Sequence, residues 1–92
     1  MKDKMRESVV FSGRVQGVGF RYKLSHLAEY YGVTGWVRNE YDGTVSAELQ
    51  GLEEEIDRII QTLAQDRYIR LGGIERKKMP VCPEERGFRI RY

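Results

Sequence analysis

Three glycines and an arginine lie close together between residues 13 and 21, in the stretch Gly-Arg-Val-Gln-Gly-Val-Gly-Phe-Arg. The stretch follows a β-rich run, Ser8 to Ser12, and precedes a run with helical spacing that begins at Tyr22. Because glycine is unfavourable inside helices and strands, the pattern predicts a loop whose peptide N–H groups can turn inward. A loop that ends at a helix N-terminus is an anion site, since unpaired N–H donors and the positive end of the helix dipole meet there.

Arg21 is predicted to stand at the start of that helix. Its planar guanidinium can donate two parallel hydrogen bonds to the oxygens of a phosphate or carboxylate. The better-known phosphate loops do not fit, because the sequence has no Gly-Lys-Ser/Thr and Tyr22 replaces the third glycine of the dinucleotide-binding pattern. The residues therefore predict a phosphate cradle of another kind. A tight strand-to-helix turn with a solvated arginine is the alternative that they leave open.

Asn39 is the second residue of interest. It precedes an Asp42-Gly43 turn signal, and an asparagine in that place commonly caps the turn through its own side chain. The residues alone favour this structural role.

The sequence from Gly13 to Arg21, followed by Gly35-Trp-Val-Arg-Asn39 and Asp42-Gly-Thr-Val45, resembles the acylphosphatase family. The resemblance extends over roughly the whole chain in element order and length, and its first motif is long and specific. It implies a small α/β sandwich that hydrolyses the carboxyl–phosphate bond of acyl phosphates without metal or cofactor. It also implies two catalytic residues: Arg21 binds the phosphate and Asn39 orients the attacking water.

On this interpretation the loop amides hold the phosphoryl oxygens together with Arg21. The substrate-binding residues are then Gln16, Gly17, Val18, Gly19, Phe20 and Arg21. The substrate is an acyl phosphate, and inorganic phosphate or sulfate is expected to inhibit. Two features depart from the commonest family pattern and put the outer strand and the substrate preference in doubt. Lys23 stands where apolar residues are frequent, and residues 71–86 have little that matches.

Composition predicts one globular domain over residues 1–92, with residues 1–6 as a frayed tail. Cys82 is the single cysteine, so no intramolecular disulfide can form, and we expect a cytoplasmic monomer. No apolar run approaches the roughly 20 residues of a membrane span, so no membrane partner is expected. The net charge of +2 comes from interleaved acids and bases, which argues against nucleic acid as a partner.

The hydrophobic spacing predicts two helices. Leu24, Leu27, Ala28 and Tyr31 form one stripe that Gly32 ends, and Ile56, Ile59, Ile60 and Leu63 form another after three glutamates. Strands are predicted at 8–12, 33–40, 44–50, 74–81 and 88–92, with the charged run 74–81 at a sheet edge and 65–73 as a connection. This order indicates an α+β, ferredoxin-like βαββαβ sandwich with two helices on one face of an antiparallel sheet, plus an extra edge strand.

This fold hosts many functions, so the order of elements alone leaves two alternatives to acyl phosphate hydrolysis. RNA recognition is disfavoured because the third strand has no aromatic side chains; Thr44, Ser46, Glu48 and Gln50 are predicted to face water. A non-catalytic anion-sensing or regulatory domain is the alternative function. The single His26, predicted at the surface, and Cys82 cannot together build a structural zinc site.

Overall fold

The computed structural model describes residues 3–92 as a five-stranded sheet with two helices. The elements follow the chain as β1 (Met5–Arg14), α1 (Phe20–Tyr31), β2 (Thr34–Asn39), β3 (Val45–Gly51), α2 (Glu53–Ala64), β4 (Arg70–Met79) and β5 (Phe88–Arg91). The strand order across the sheet is β4-β1-β3-β2-β5. This confirms the predicted ferredoxin-like α+β fold. The pairs among β1 to β4 are antiparallel as predicted, but β5 is parallel to β2, so the sheet is mixed.

The core lies between the helices and one face of the sheet. Alternate strand residues supply the sheet side, namely Val9, Phe11, Val37, Val45, Ala47 and Leu49. Burying each of the larger side chains stabilises the fold by about 1.5–3 kcal/mol. Within residues 3–92, no helix is long and apolar enough to cross a membrane.

Both predicted helices are confirmed. In α1, Leu24 and Ala28 are buried, and Gly32 ends the helix with a left-handed φ of 70°. The α1 helix begins at Phe20, so Arg21 lies in its first turn. In α2, the predicted apolar stripe is buried and the glutamates occupy the first turn, where the helix dipole favours acids.

The strand β4 begins earlier than predicted. The sequence placed Gly72 and Gly73 in a connection, whereas both lie within β4. Gly73 pairs with Ser12, and Gly72 is the extra residue at the bulge between the pairs of Ser12 and Gly13. A Cβ at Gly73 would lie 2.8 Å from Ser12 Oγ. Gly72 and Gly73 are therefore strand residues beside a bulge, rather than signals that end an element.

The predicted frayed tail over residues 1–6 is wrong at its end. Residues 1–2 lie outside the described residues, but Met5 and Arg6 belong to β1. Arg6 is only 3% exposed, and its guanidinium binds Glu48 at 2.8 Å and Glu85 at 2.7 Å. A buried arginine is tolerated here because two carboxylates neutralise its charge.

Gln50 does not face water as predicted, because the segment 80–87 crosses the sheet face opposite the helices. Gln50 Nε2 donates to the Cys82 carbonyl at 2.9 Å, and the Cys82 N–H donates to Gln50 Oε1 at 2.8 Å. The bidentate contact holds the connection between β4 and β5 against the sheet. This connection brings β5 to the edge next to β2.

Candidate active site

The predicted phosphate cradle is the loop from Val15 to Gly19, between β1 and α1. The core anchors both ends of the loop. Val15 is 1% exposed, and the buried ring of Phe20 packs against Phe11 with ring centroids 4.8 Å apart. The loop is therefore held firmly at each end although its middle is rich in glycine.

Gly17 and Gly19 have left-handed backbones, with φ of 74° and 76°. A Cβ at Gly17 would meet no atom of the described chain within 4 Å, so glycine is required there for its φ angle rather than for space. Gly19 is the N-cap of α1, and no side chain caps this helix start. The first N–H groups of α1 are thus left to a ligand or to solvent.

Gln16 ties the cradle to the hairpin between β2 and β3. Its Nε2 atom donates to the carbonyl oxygens of Glu40 at 2.8 Å and of Thr44 at 2.9 Å. Sequence reasoning assigned Gln16 a role through its peptide amide and missed this role of its side chain. The two bonds fix the position of the loop relative to the end of β2.

Arg21 is half-buried, with its guanidinium carbon 5.0 Å from the centroid of the Tyr92 ring. Within residues 3–92 its guanidinium has no hydrogen-bond or ion-pair partner. Both N–H groups of the planar fork are therefore available to an anion. Tyr92 follows β5, and no sequence pattern indicated that it would reach Arg21.

Asn39 is the last residue of β2 and lines the same small cavity as the cradle loop and Arg21. The turn-capping role that the residues favoured belongs to Asp42 instead. Its Oδ1 accepts from the Thr44 N–H at 3.0 Å and from the Thr44 hydroxyl at 2.6 Å. These hydrogen bonds lower the pKa of Asp42. Across the described part of the chain, the Asn39 side chain has no hydrogen-bond partner of its own.

The cradle cavity, of about 200 Å³, brings most of the predicted residues together. Its lining comprises Val15, Gln16, Gly17, Gly19, Phe20, Arg21, Tyr22, Asn39, Ile90 and Tyr92. Val18 is absent from this lining, and its side chain packs against the core. Sequence reasoning missed Ile90 and Tyr92 because the parallel pairing of β5 with β2 brings them here, and no local pattern encodes that pairing.

The charge of the lining suits an anion. Arg21 is the one charged side chain among these residues. No three His, Cys, Asp or Glu side chains among residues 3–92 are grouped so that they could hold a metal ion. His26 is exposed on α1, as predicted, and packs edge-on against Tyr22 with ring centroids 4.3 Å apart. The site can bind a dianion and place a polar amide beside it.

The chain is similar in sequence and in fold to known acylphosphatases. The acylphosphatase family model matches residues 7–90. An acylphosphatase of Geobacillus thermodenitrificans is 41% identical over 88 residues, which cover 95% of this chain and 94% of that protein. One from Clostridium acetobutylicum is 41% identical, over 87% of this chain and 89% of its own. The crystal structure of acylphosphatase from Bacillus subtilis superimposes with a TM-score of 0.87 at 27% identity, covering 96% of this chain and 99% of that one.

Proposed function

The chain belongs to the acylphosphatase family, and from this premise we propose how its residues hydrolyse the carboxyl–phosphate bond of an acyl phosphate. The protein is a hydrolase whose substrate is a small-molecule acyl phosphate. Which residues perform the reaction is our proposal. The observation that carries it is that Arg21 and Asn39 line one small cavity, each with its polar group unpaired among residues 3–92.

In the first step, the cradle binds the phosphoryl group. The peptide N–H groups of residues 16–20 and the fork of Arg21 donate to its oxygens, and the dipole of α1 adds positive potential. Gly17 and Gly19 allow the loop to curve around the phosphoryl group. These donors are preorganised, because Val15, Gln16 and Phe20 hold the loop in place before substrate binds.

In the second step, water attacks phosphorus in line with the leaving oxygen. The Asn39 side chain holds this water. The new bond joins the water oxygen to phosphorus, and the bond from phosphorus to the acyl oxygen breaks with its electron pair. The leaving group is a carboxylate, and the water proton passes to a phosphate oxygen. A carboxylate needs no strong general acid, so positioning and charge stabilisation are sufficient.

We propose that the reaction needs neither metal nor other cofactor. Arg21 and the helix N-terminus supply the positive charge that a metal supplies in many phosphoryl-transfer sites. Inorganic phosphate and sulfate resemble the bound group and act as competitive inhibitors. We further propose that residues 1–92 form one domain that acts as a cytoplasmic monomer with no nucleic-acid partner, in keeping with the single sheet and the lone Cys82.

Turnover of acetyl phosphate by the purified protein tests the proposal, with a phosphate monoester measured beside it. We expect hydrolysis of the acyl phosphate only, at a rate that a chelator leaves unchanged. Loss of activity on chelation, restored by magnesium or zinc, would overturn the metal-free mechanism. Phosphate binding at residues 14–22, seen by NMR, without any turnover would indicate the anion-sensing alternative.

A further inference from the structure

The outer edge of β5 is a part of the sheet that the proposed hydrolysis leaves unused. β5 is the last strand of the sheet and pairs with β2 alone. The Gly87 carbonyl accepts from the Gly35 N–H at 3.1 Å, so the alternation of a strand directs the N–H and C=O groups of Phe88 and Ile90 away from β2. Among residues 3–92, no other strand and no loop forms a hydrogen bond with this outer edge. Unpaired groups on an edge strand are a template for pairing with another chain.

Arg89 and Arg91 give this edge its charge. Val37 and Ile90 are paired residues that pack toward the core, so the two arginines lie on the opposite face of the sheet, away from the helices. Both arginines are exposed, and within residues 3–92 neither forms an ion pair or a side-chain hydrogen bond. Their N–H donors are therefore available to the carboxylates of a partner.

Trp36, on β2, contacts one of these arginines. The guanidinium carbon of Arg91 lies 4.7 Å from the centroid of the Trp36 ring, a cation–π contact that uses none of its N–H donors. Arg38 contacts the same ring at 5.3 Å, but its Nη2 atom lies 3.1 Å from Glu40 Oε2, so its charge is balanced. Glu85, whose pKa the charge of Arg91 helps to lower, is bound at 2.7 Å by another arginine, which is buried. The free positive charge on this part of the sheet is therefore that of the two β5 arginines.

The other edge of the sheet does not share this character. On the same face, β4 carries Glu75 and Lys77, so its exposed charges alternate in sign. A second copy of β5 is also a poor partner, because it would bring arginines against arginines, and like charges on neighbouring strands are destabilising. The β5 edge therefore selects a strand of opposite charge from another protein.

An extended acidic chain matches this edge in spacing as well as in charge. Alternate side chains of a strand lie about 6.6 Å apart on one face, so carboxylates at every second position of an added strand have the same spacing as Arg89 and Arg91. In strand addition, main-chain hydrogen bonds provide affinity and alternate side chains provide specificity. Here the main-chain groups are those of Phe88 and Ile90.

We propose that the outer edge of β5 binds an extended acidic segment of a partner protein, which adds to the sheet beside β5. Glutamate or aspartate at every second residue of this segment pairs with Arg89 and Arg91. The inference does not rest on the proposed function of the cradle, because neither arginine lines that cavity.

The probe is a short, fluorescently labelled peptide of alternating glutamate and threonine, since threonine favours strands. We expect saturable binding by fluorescence anisotropy, with amide NMR shifts concentrated at Phe88–Arg91, and no binding when lysine replaces glutamate. N-methylation of every threonine blocks one edge of the peptide, and N-methylation of every glutamate blocks the other. One of the two methylated peptides should bind about tenfold more weakly, and the other should bind normally.

Charge reversal on β5 provides the matched variants. Arg89→Glu and Arg91→Glu should each weaken binding about tenfold, because an attraction worth up to about fivefold in affinity is replaced by repulsion. Lys77→Glu is the control, since it changes the net charge equally on the same face at the opposite edge, and should change affinity less than about twofold. Melting temperatures show whether each variant is folded. Among residues 3–92 Arg89 has no ring contact, so Arg89→Glu tests the site even if loss of the Trp36 contact unfolds Arg91→Glu.

Several outcomes would overturn the proposal. They are no binding to the wild-type protein, equal affinity of the Lys77 and arginine variants, and equal affinity of the two methylated peptides. NMR shifts centred on Arg70–Met79 would place the binding on β4 instead. Single-stranded RNA that binds more tightly than the peptide would assign the two arginines to nucleic acid. Each of these results leaves the proposed hydrolysis intact, because its steps involve neither Arg89 nor Arg91.

Discussion

The guanidinium carbon of Arg21 lies 5.0 Å from the centroid of the Tyr92 ring, so the residue that follows β5 contacts the first turn of α1. This cation–π contact joins two residues that lie far apart in the chain. The N–H edges, which would bind a phosphate, are not used by it. Tyr92 is thus a positioning residue for Arg21 rather than a competitor for its donors.

Loss of the ring of Tyr92 should have a small effect on catalysis. A cation–π contact at an exposed site contributes about 0.5–1 kcal/mol, and the Tyr92 side chain is exposed. We therefore expect Tyr92→Leu to weaken phosphate inhibition and lower kcat/KM about two- to fivefold, with Tyr92→Phe close to wild type. Equal losses in the Leu and Phe variants would assign the effect to the hydroxyl instead.

Replacement of Arg21 by lysine should be far more damaging. Arg21→Lys keeps the charge but loses the planar fork, so phosphate affinity and turnover should fall together, turnover by about two orders of magnitude. The inhibition constant of phosphate and kcat measure the two effects. Arg89→Lys, an exposed change on β5, is the matched control and should match wild type. An Arg21→Lys enzyme of normal activity would mean that only charge matters at this position.

The roles of Asn39 and Asp42 should separate cleanly. Asn39→Ala should lower kcat by about two orders of magnitude, with phosphate affinity and melting temperature almost unchanged, because the amide is proposed to hold water. Asp42→Ala should instead lower the melting temperature and leave kcat almost unchanged, since Asp42 and not Asn39 caps the turn at Thr44. Thermal melts and initial rates of both variants measure the two effects. Normal turnover in a folded Asn39→Ala variant would remove Asn39 from the mechanism.

The side chain of Gln16 should matter for both stability and rate. Gln16→Ala leaves the carbonyl groups of Glu40 and Thr44 without this donor, which should lower the free energy of unfolding by about 1–2 kcal/mol. It also frees the cradle from the hairpin that carries Asn39, so kcat should fall about tenfold or more. Gln61→Ala on the surface of α2 serves as the control. A variant that loses stability but keeps full kcat would show that the loop stays in place without this tie.

The ion pair between Glu85 and Arg6 should make the stability of the fold sensitive to acid. Burial raises the pKa of Glu85, but the hydrogen bonds and charge of Arg6 outweigh it, and the pKa lies below its usual range. A carboxylate with a lowered native pKa stabilises the fold fully above the usual value, and this contribution is lost as the pH falls through the lowered one. The free energy of unfolding should therefore decrease as the pH drops below about 4.3, the ordinary glutamate value.

Glu85→Gln tests the contribution of this ion pair to stability. The variant should be less stable than wild type by about 1.5–3 kcal/mol at pH 7, because a charge-assisted pair is lost, and the difference should shrink below about pH 4. Denaturant unfolding at several pH values provides the measurement. Glu84→Gln, an exposed neighbour, is the control. A stability difference that stays constant down to pH 2 would show that the ionised form of Glu85 is unimportant.

Local patterns were enough to predict the helices, the cradle and the residues that lead into them. The periodicity of α1 and α2 and the glycines around Gln16 depend on neighbours in the chain, which a sequence displays directly. The resemblance then singled out Arg21 and Asn39, and the structure brings both to one cavity.

Features that depend on distant pairing could not be predicted. The start of β4 is set by the end of β1, and the burial of Gln50 by Cys82, which lies 32 residues away. Tyr92 reaches the cradle only because β5 adds in parallel beside β2. Likewise, the hairpin bonds of Gln16 require two loops to meet. No local propensity contains this information, so the composition of the cavity had to come from the structure.

The interior position of β1 in the sheet has a consequence for how the chain folds. β1 pairs with β3 on one side and with β4 on the other, and Arg6 contacts a carboxylate 79 residues away. Each of these contacts requires closure of a long loop before it contributes any stability, and chains with such high contact order fold more slowly than helical domains of equal length. Because the cradle begins where β1 ends, its geometry is complete only after the most remote pairings have formed. We therefore expect activity to be recovered late during refolding.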